Sequence, residues 1–273
     1  MAGSLIDALG LIRKYPMLCV PGIIFAVLCG LVIAAGDLMF GWKFLIVLLV
    51  IEPFFAAGFL GMTKNPGDGI AGFFREGRRY YFRVLLPGLI IGFAIALTIL
   101  LLALPVSLLG PGALGGILTG AFLGVTVPFV FFTWFYDAAA VFEDRRVFDS
   151  IRRSIEVVMQ NGWKVFRFFI ISLLFAGATG FLLLIVWTAT LFDRLEPLTA
   201  MNATDLQAFT PAQFEAVLGT SGIWMTVIVA VVWIAIVFTV TYAYKSVFFP
   251  AVATLQPEVV IGEYDEKGRW YKY

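Results

Sequence analysis

Chemistry needs groups that move protons, attack electrophiles or hold metals, and this chain of 273 residues supplies few of them. There is no His, so the commonest metal ligand and the commonest proton shuttle near neutral pH are both missing. Its two Cys, Cys19 and Cys29, share one apolar run. On a helix of about 3.6 residues per turn they point roughly 80° apart, which suits small buried side chains better than a disulfide or a metal site. One carboxylate stands out. Glu52 lies inside LIVLLVIEPFFAAGFL (45–60) and is the ionisable residue expected deepest in an apolar interior. Pro53 follows it and frees a backbone carbonyl one turn back. A lone carboxylate at such depth costs several kcal/mol if ionised. Lys245 and Arg167 are expected near one surface and Lys43 near the other, so the partners predicted for Glu52 are uncharged: Thr98, Thr126, Thr179 or Trp233. Glu52, Thr126 and Thr179 are therefore the intramembrane polar candidates. Two roles stay open for Glu52: interhelical glue at a proline kink, or a cation or proton relay.

Other motifs carry less chemistry. The run GPGALGGILTGAFLG (110–124) has the glycines of a phosphate loop but not its Gly-Lys-Ser/Thr ending. Gly116, Gly120 and Gly124 recur every fourth position, the geometry of close helix contact. Asp137, Glu143, Asp144, Arg145 and Arg146 gather in one segment, but their spacing specifies no reaction. No catalytic residue, metal or cofactor is expected.

The elements that position these groups follow from composition. Hydrophobic residues make up 61% of the chain and charged residues 14%, against about 45–50% and about 25% in ordinary globular proteins. The excess is collected in blocks of about 20 residues, enough to cross a ~30 Å hydrocarbon layer. With a net charge of +1 there is no electrostatic case for nucleic acid. Six spans are predicted, at about 17–36, 41–62, 84–109, 114–136, 165–191 and 223–249, with a loop over 192–222 and a tail over 250–273. The first run is longer than the ~7–15 apolar residues of a signal peptide, so it reads as a retained span. The segments 13–14, 64–83, 145–167 and 245–272 hold all but Lys43 and Arg194 of the 19 Lys and Arg. Basic residues favour the cytoplasmic side. The expectation is an all-α, six-transmembrane bundle of three hairpins in the plasma membrane, with both termini cytoplasmic. A short helix is expected over 212–218 after Thr210-Pro211, and Asn202-Ala203-Thr204 forms a glycosylation sequon on the outer side.

Each hairpin is preceded by an amphipathic stretch, at 4–12, 69–82 and 147–163, read as a helix lying on the inner surface. In the third, Ile151, Ile155, Val158 and Met159 form the predicted apolar stripe, opposite Arg152, Arg153, Glu156 and Gln160, with Asp149 as N-cap. Asn161-Gly162 then permits a turn, and Trp163, Lys164 and Arg167 meet the interface. Arg78, Arg79, Arg152, Arg153, Lys164 and Arg167 are the expected contacts to lipid phosphates.

Glu143, the run Ser150-Ile151-Arg152-Arg153-Ser154, and Asn161-Gly162-Trp163 ahead of a span resemble a pattern in a broad group of uncharacterised polytopic proteins of archaea and bacteria. That group is similar to the membrane domain fused to some glycerophosphodiester phosphodiesterases. RKYPMLCVPGII (13–24) resembles the group's opening. The resemblance implies a six-helix membrane domain and no catalytic role, because the phosphodiesterase chemistry resides in a separate barrel with no counterpart here. The expected function is a non-enzymatic scaffold, assembly partner or lipid-interacting modulator. Its partners would be membrane lipids and another membrane protein or a second copy of the chain. The alternative is a small-solute or ion transporter using Glu52 at its proline-broken helix.

Overall fold

Apolar runs become long helices here, and among the described residues breaks fall at Pro16, at Asn65-Pro66 and at Asn161-Gly162. The computed structural model describes residues 3–34, 38–107, 111–199, 202, 210–253, 262–264 and 270–272. The side chains of 38–45, 47, 104–107, 111–119, 121, 199, 211–212 and the last two segments lie outside that description. The GPGA turn, the Asn202 sequon and most of the tail fall partly or wholly outside it too.

Helix α1 (Leu5–Lys14) starts at Ser4, whose hydroxyl accepts the Asp7 N–H while Asp7 Oδ2 accepts the Ser4 N–H at 2.9 Å. This capping box satisfies two otherwise orphaned donors. The Ser4 hydroxyl also donates to Asp7 Oδ2 at 2.8 Å, and these two bonds from Ser4 favour the ionised carboxylate and hold Asp7 below the usual carboxylate range. Pro16 cannot extend α1, and a single tight turn, Pro16–Leu18, leads into α2 (Cys19–Ala34). There follow α3 (Leu38–Lys64), α4 (Gly69–Ser107), α5 (Pro111–Thr133), α6 (Tyr136–Phe142), α7 (Val147–Gln160), α8 (Gly162–Thr190), α9 (Phe192–Thr199) and α10 (Pro211–Ala253). A small antiparallel hairpin, β1 (Gly262–Tyr264) with β2 (Trp270–Lys272), follows the helices. Among the described residues five stretches are long and apolar enough to cross a membrane: Pro16–Ala34, Pro66–Ala103, Phe122–Phe142, Gly162–Thr190 and Gln213–Ala253.

Several expectations change. The stretch 69–82 is not a separate surface helix but the first turns of α4, because no Pro, Gly or Asn interrupts the chain between Gly77 and Pro87. Helix α7 is capped at Arg146, and Asp149 sits inside its first turn. Within 192–222 the described residues are largely helical. Thr210 and Gln213 cap each other, and the short helix from Pro211 stops at Gly219, whose φ of 63° breaks the line before the chain resumes as a long helix.

The helices converge at one end. Lys64 Nζ donates to the Val141 carbonyl at 3.2 Å, Arg83 pairs with Asp144 at 2.6 Å, and Arg153 bonds Glu143 at 3.0 Å and the Ala253 carbonyl at 3.3 Å. Asp144 adopts φ 55°, a left-handed conformation Asp tolerates, which ends α6 and turns the chain to α7. At this basic end lies the core. Phe59, Leu60, Phe73, Tyr80, Phe135, Phe168 and Phe249 are buried, and Phe168 sits 4.4 Å from the Tyr244 ring and 4.8 Å from the Phe248 ring. Short α6 touches α3, α4, α7 and α10.

The predicted apolar stripe of α7 splits. Ser150, Ser154, Val157 and Val158 face inward, while Ile155, Met159 and Phe148 stay exposed. Small serines let α7 approach the break between α5 and α6. There the Ser154 hydroxyl accepts the Phe135 N–H at 3.0 Å and donates to the Phe132 carbonyl at 2.9 Å. The glycine expectation is also corrected. Among the described residues nothing lies within 4 Å of a Cβ built on Gly120 or Gly124, and Gly116 is outside the description. Close contact occurs instead on α2, where a Cβ on Gly22 would collide with Thr239 and one on Gly30 with Val231, both of α10.

Candidate functional site

Glu52 is not alone. Helix α3 carries it, and the hydroxyl of Tyr242 on α10 donates to its Oε1 at 2.5 Å. One turn further along the same face of α10 comes Lys245, whose ammonium donates to both oxygens of Asp137 at 2.8 Å. Asp137 begins α6, where its Oδ1 also accepts the Ala138 N–H at 2.7 Å. Asp137 and Lys245 are 3% and 4% exposed. The Lys245 ammonium lies 4.7 Å from the Trp134 ring and 5.2 Å from the Tyr242 ring, so two aromatic faces cover the cation. Three helices thus meet at an ion pair and a carboxyl–phenol pair, among the aromatic core.

The local fold explains why Asp137 can be there. The helix breaks at Trp134–Phe135, and Ser154 of α7 takes up the freed backbone groups. The new helix then begins one residue before Asp137, a favourable place for a carboxylate. Burying two charges is tolerable only when they are paired and hydrogen-bonded, and both conditions are met.

The expected partners of Glu52 are elsewhere. Thr98 donates to the Ala94 carbonyl of its own helix, and Thr179 to the Phe175 carbonyl of its own. The Thr126 hydroxyl is buried with no hydrogen-bond partner among the described residues. Trp233 donates to the Ala176 carbonyl, joining α10 to α8 at 3.1 Å. The sequence reading puts both Lys245 and Asp137 near one surface without pairing them, and names no role for Tyr242. The signal was there: one acid and one base, each embedded in an aromatic run (FFTWFYDAAA and YAYKSVFF), are complementary charges in surroundings that demand pairing.

The basic residues expected on lipid phosphate fall into two groups. Arg153 is turned inward onto Glu143, 16% exposed, and clasps the end of α10. Arg78, Arg79, Arg152, Lys164 and Arg167 are exposed. Of these, Arg152 pairs with Glu156 at 2.8 Å, Arg79 lies 4.0 Å from Glu76, and Lys164 reaches Asn161 at 3.5 Å.

Residues 2–252 match the model of a domain of unknown function, DUF7847, and the chain belongs to that family. No curated protein and no solved structure matches it. The family match covers nearly the whole chain and agrees with the expected membership of an uncharacterised family, but it shows no fusion to a glycerophosphodiester phosphodiesterase.

Proposed function

We propose that the chain is a non-enzymatic, six-span protein of the plasma membrane, with both termini cytoplasmic, that serves as a scaffold or lipid-interacting modulator. The observation that carries this reading is the closure of the buried polar cluster on itself. Asp137 and Lys245 neutralise each other, and the Glu52 carboxyl is engaged by Tyr242. Groups that spend their hydrogen bonds on each other lock helices together and do not display an acid or base to a substrate. The exposed side of α7 supports the lipid part: Phe148, Met159 and the nearby Trp163 are 71%, 69% and 75% exposed. Such a stripe suits the acyl boundary, with the exposed Arg152 at headgroup level. The sixth span in this reading is α3, whose neighbours α2 and α4 lie against it.

Transport remains the second reading, favoured by the gathering of Glu52, Asp137 and Lys245 among long apolar helices. Glu52→Gln separates the two. The amide keeps an acceptor for Tyr242, so folding is expected to change by less than about 1 kcal/mol. Affinity capture in mild detergent from Glu52→Gln cells should recover the same membrane partners and lipids as wild type. Loss of a measurable ion or solute flux in that variant, with capture unchanged, would favour transport instead.

A further inference from the structure

Two grooves mark the basic end, and they differ in charge. One, of about 430 Å³, runs along α7 and contains both Arg152 and Glu156, which pair at 2.8 Å. Its cation is already neutralised. The other, of about 490 Å³, lies between α3 and α4, walled by Val50, Ile51, Phe54, Phe74 and Phe82, with Arg78 as its charged residue. Arg78 differs from the other arginines of α4. Arg75 is bound to Asp68 and to Glu76, Arg79 faces Glu76, and Arg83 is bound to Asp144. Among the described residues no carboxylate or carbonyl takes the Arg78 guanidinium, which is exposed.

We infer that the α3–α4 groove binds one anionic phospholipid, with its phosphate on Arg78 and an acyl chain running from Phe54 along Ile51, Val50 and Phe82. This deepens the lipid-interacting reading and rests on it. Three features select this occupant. The guanidinium is an unspent five-donor fork whose geometry matches two phosphate oxygens. Arg78 precedes the start of α4's uninterrupted apolar stretch at Val84 by six residues, roughly 9 Å along the helix, which is headgroup depth for a chain inserted there. On the membrane side of Arg78 the groove wall offers the acyl chain exposed aromatic surface, with Phe82 at 65%. Tyr81, also on the wall, spends its hydroxyl on the Val50 carbonyl at 3.0 Å, tying α3 to α4 and fixing the groove's shape.

The test is native mass spectrometry of the full-length protein, stripped of lipid in mild detergent and titrated with defined ligands. One dioleoyl phosphatidylglycerol should bind about tenfold more tightly than dioleoyl phosphatidylcholine, whose identical phosphate is already accompanied by its own choline cation. Arg78→Gln should reduce that preference to about twofold or less, Arg78→Lys should retain part of it, and Arg152→Gln should leave it intact. Retention of the preference in Arg78→Gln, or an equal loss in Arg152→Gln, overturns the proposal. So does equal binding of glycerol 1-phosphate, which would mean a phosphate site without a chain. Alkaline carbonate extraction on the same cells tests the underlying reading. A chain washed off the membrane defeats both, whereas one that stays and shows no lipid preference defeats the groove alone.

Discussion

The two halves of the helix bundle are built on different rules. At the basic end, Phe135, Phe168 and Phe249 are fully buried and a paired acid and base lie among them. Away from it, Leu173, Leu174, Phe181 and Leu182 of α8 are 62–69% exposed, and none of the most apolar stretch of Gly162–Thr190 is buried. In water the second half would be untenable. Against lipid tails, which are as apolar as leucine, exposure costs little and gives helices little reason to associate. Association there falls to close backbone contact and a few hydrogen bonds: Gly30 on Val231, and Trp187 on Thr226 at 2.8 Å. The contrast teaches that stability is concentrated where the helices meet at the basic end, and that the other half is held by small contacts.

Removing a charge from the buried cluster should break the molecule most severely. Lys245→Met leaves Asp137 unpaired and should cost about 3–5 kcal/mol in thermal or denaturant unfolding in detergent, with Asp137→Leu recovering much of it in the double variant. If Lys245→Met costs no more than Arg152→Gln at an exposed pair, the cluster is not what holds the basic end.

A second comparison stays within one helix. Phe168→Ala should destabilise by about 3 kcal/mol, because its cavity lies among Phe135, Tyr244 and Phe248. Phe181→Ala, 63% exposed on the same helix, should stay within about 0.5 kcal/mol. Equal effects would show that α8 is packed along its whole length.

Gly30→Ala drives a methyl into Val231 and should cost about 1–2 kcal/mol, whereas Gly120→Ala meets open space and should be neutral or slightly stabilising. The smallest effect sharpens the picture of the weakly packed half. Trp187→Phe removes the bond to Thr226 and should cost about 0.6 kcal/mol, the usual worth of an interhelical hydrogen bond in a membrane.

Parts of this architecture can be read without coordinates. Apolar blocks announce the long helices, and Pro16 and Asn161-Gly162 announce two of the breaks. Thr210-Pro211 and Gly219 bracket a short helix because capping and left-handed glycine are local matters. The glycine stripe on α5 misleads, because periodicity names a face but not its neighbour. Gly22, Ala26 and Gly30 carry the same spacing and are the ones that meet a helix. On α7, apolarity alone pointed to Ile155 and Met159, but the inward face is chosen by two serines whose hydroxyls fit near a broken helix.

What the amino-acid sequence determines by itself is the medium and the elements: helices of membrane-crossing length, cations gathered in alternate segments, and caps at their ends. These depend on neighbours within a turn or two, or on summed transfer free energy, and both are local or additive. Which side chains meet is decided only by the tertiary structure. Tyr242 lies 190 residues from Glu52, and Lys245 lies 108 from Asp137. Their pairing depends on how deeply α6 inserts and how α10 is rotated, and those are properties of the packed whole.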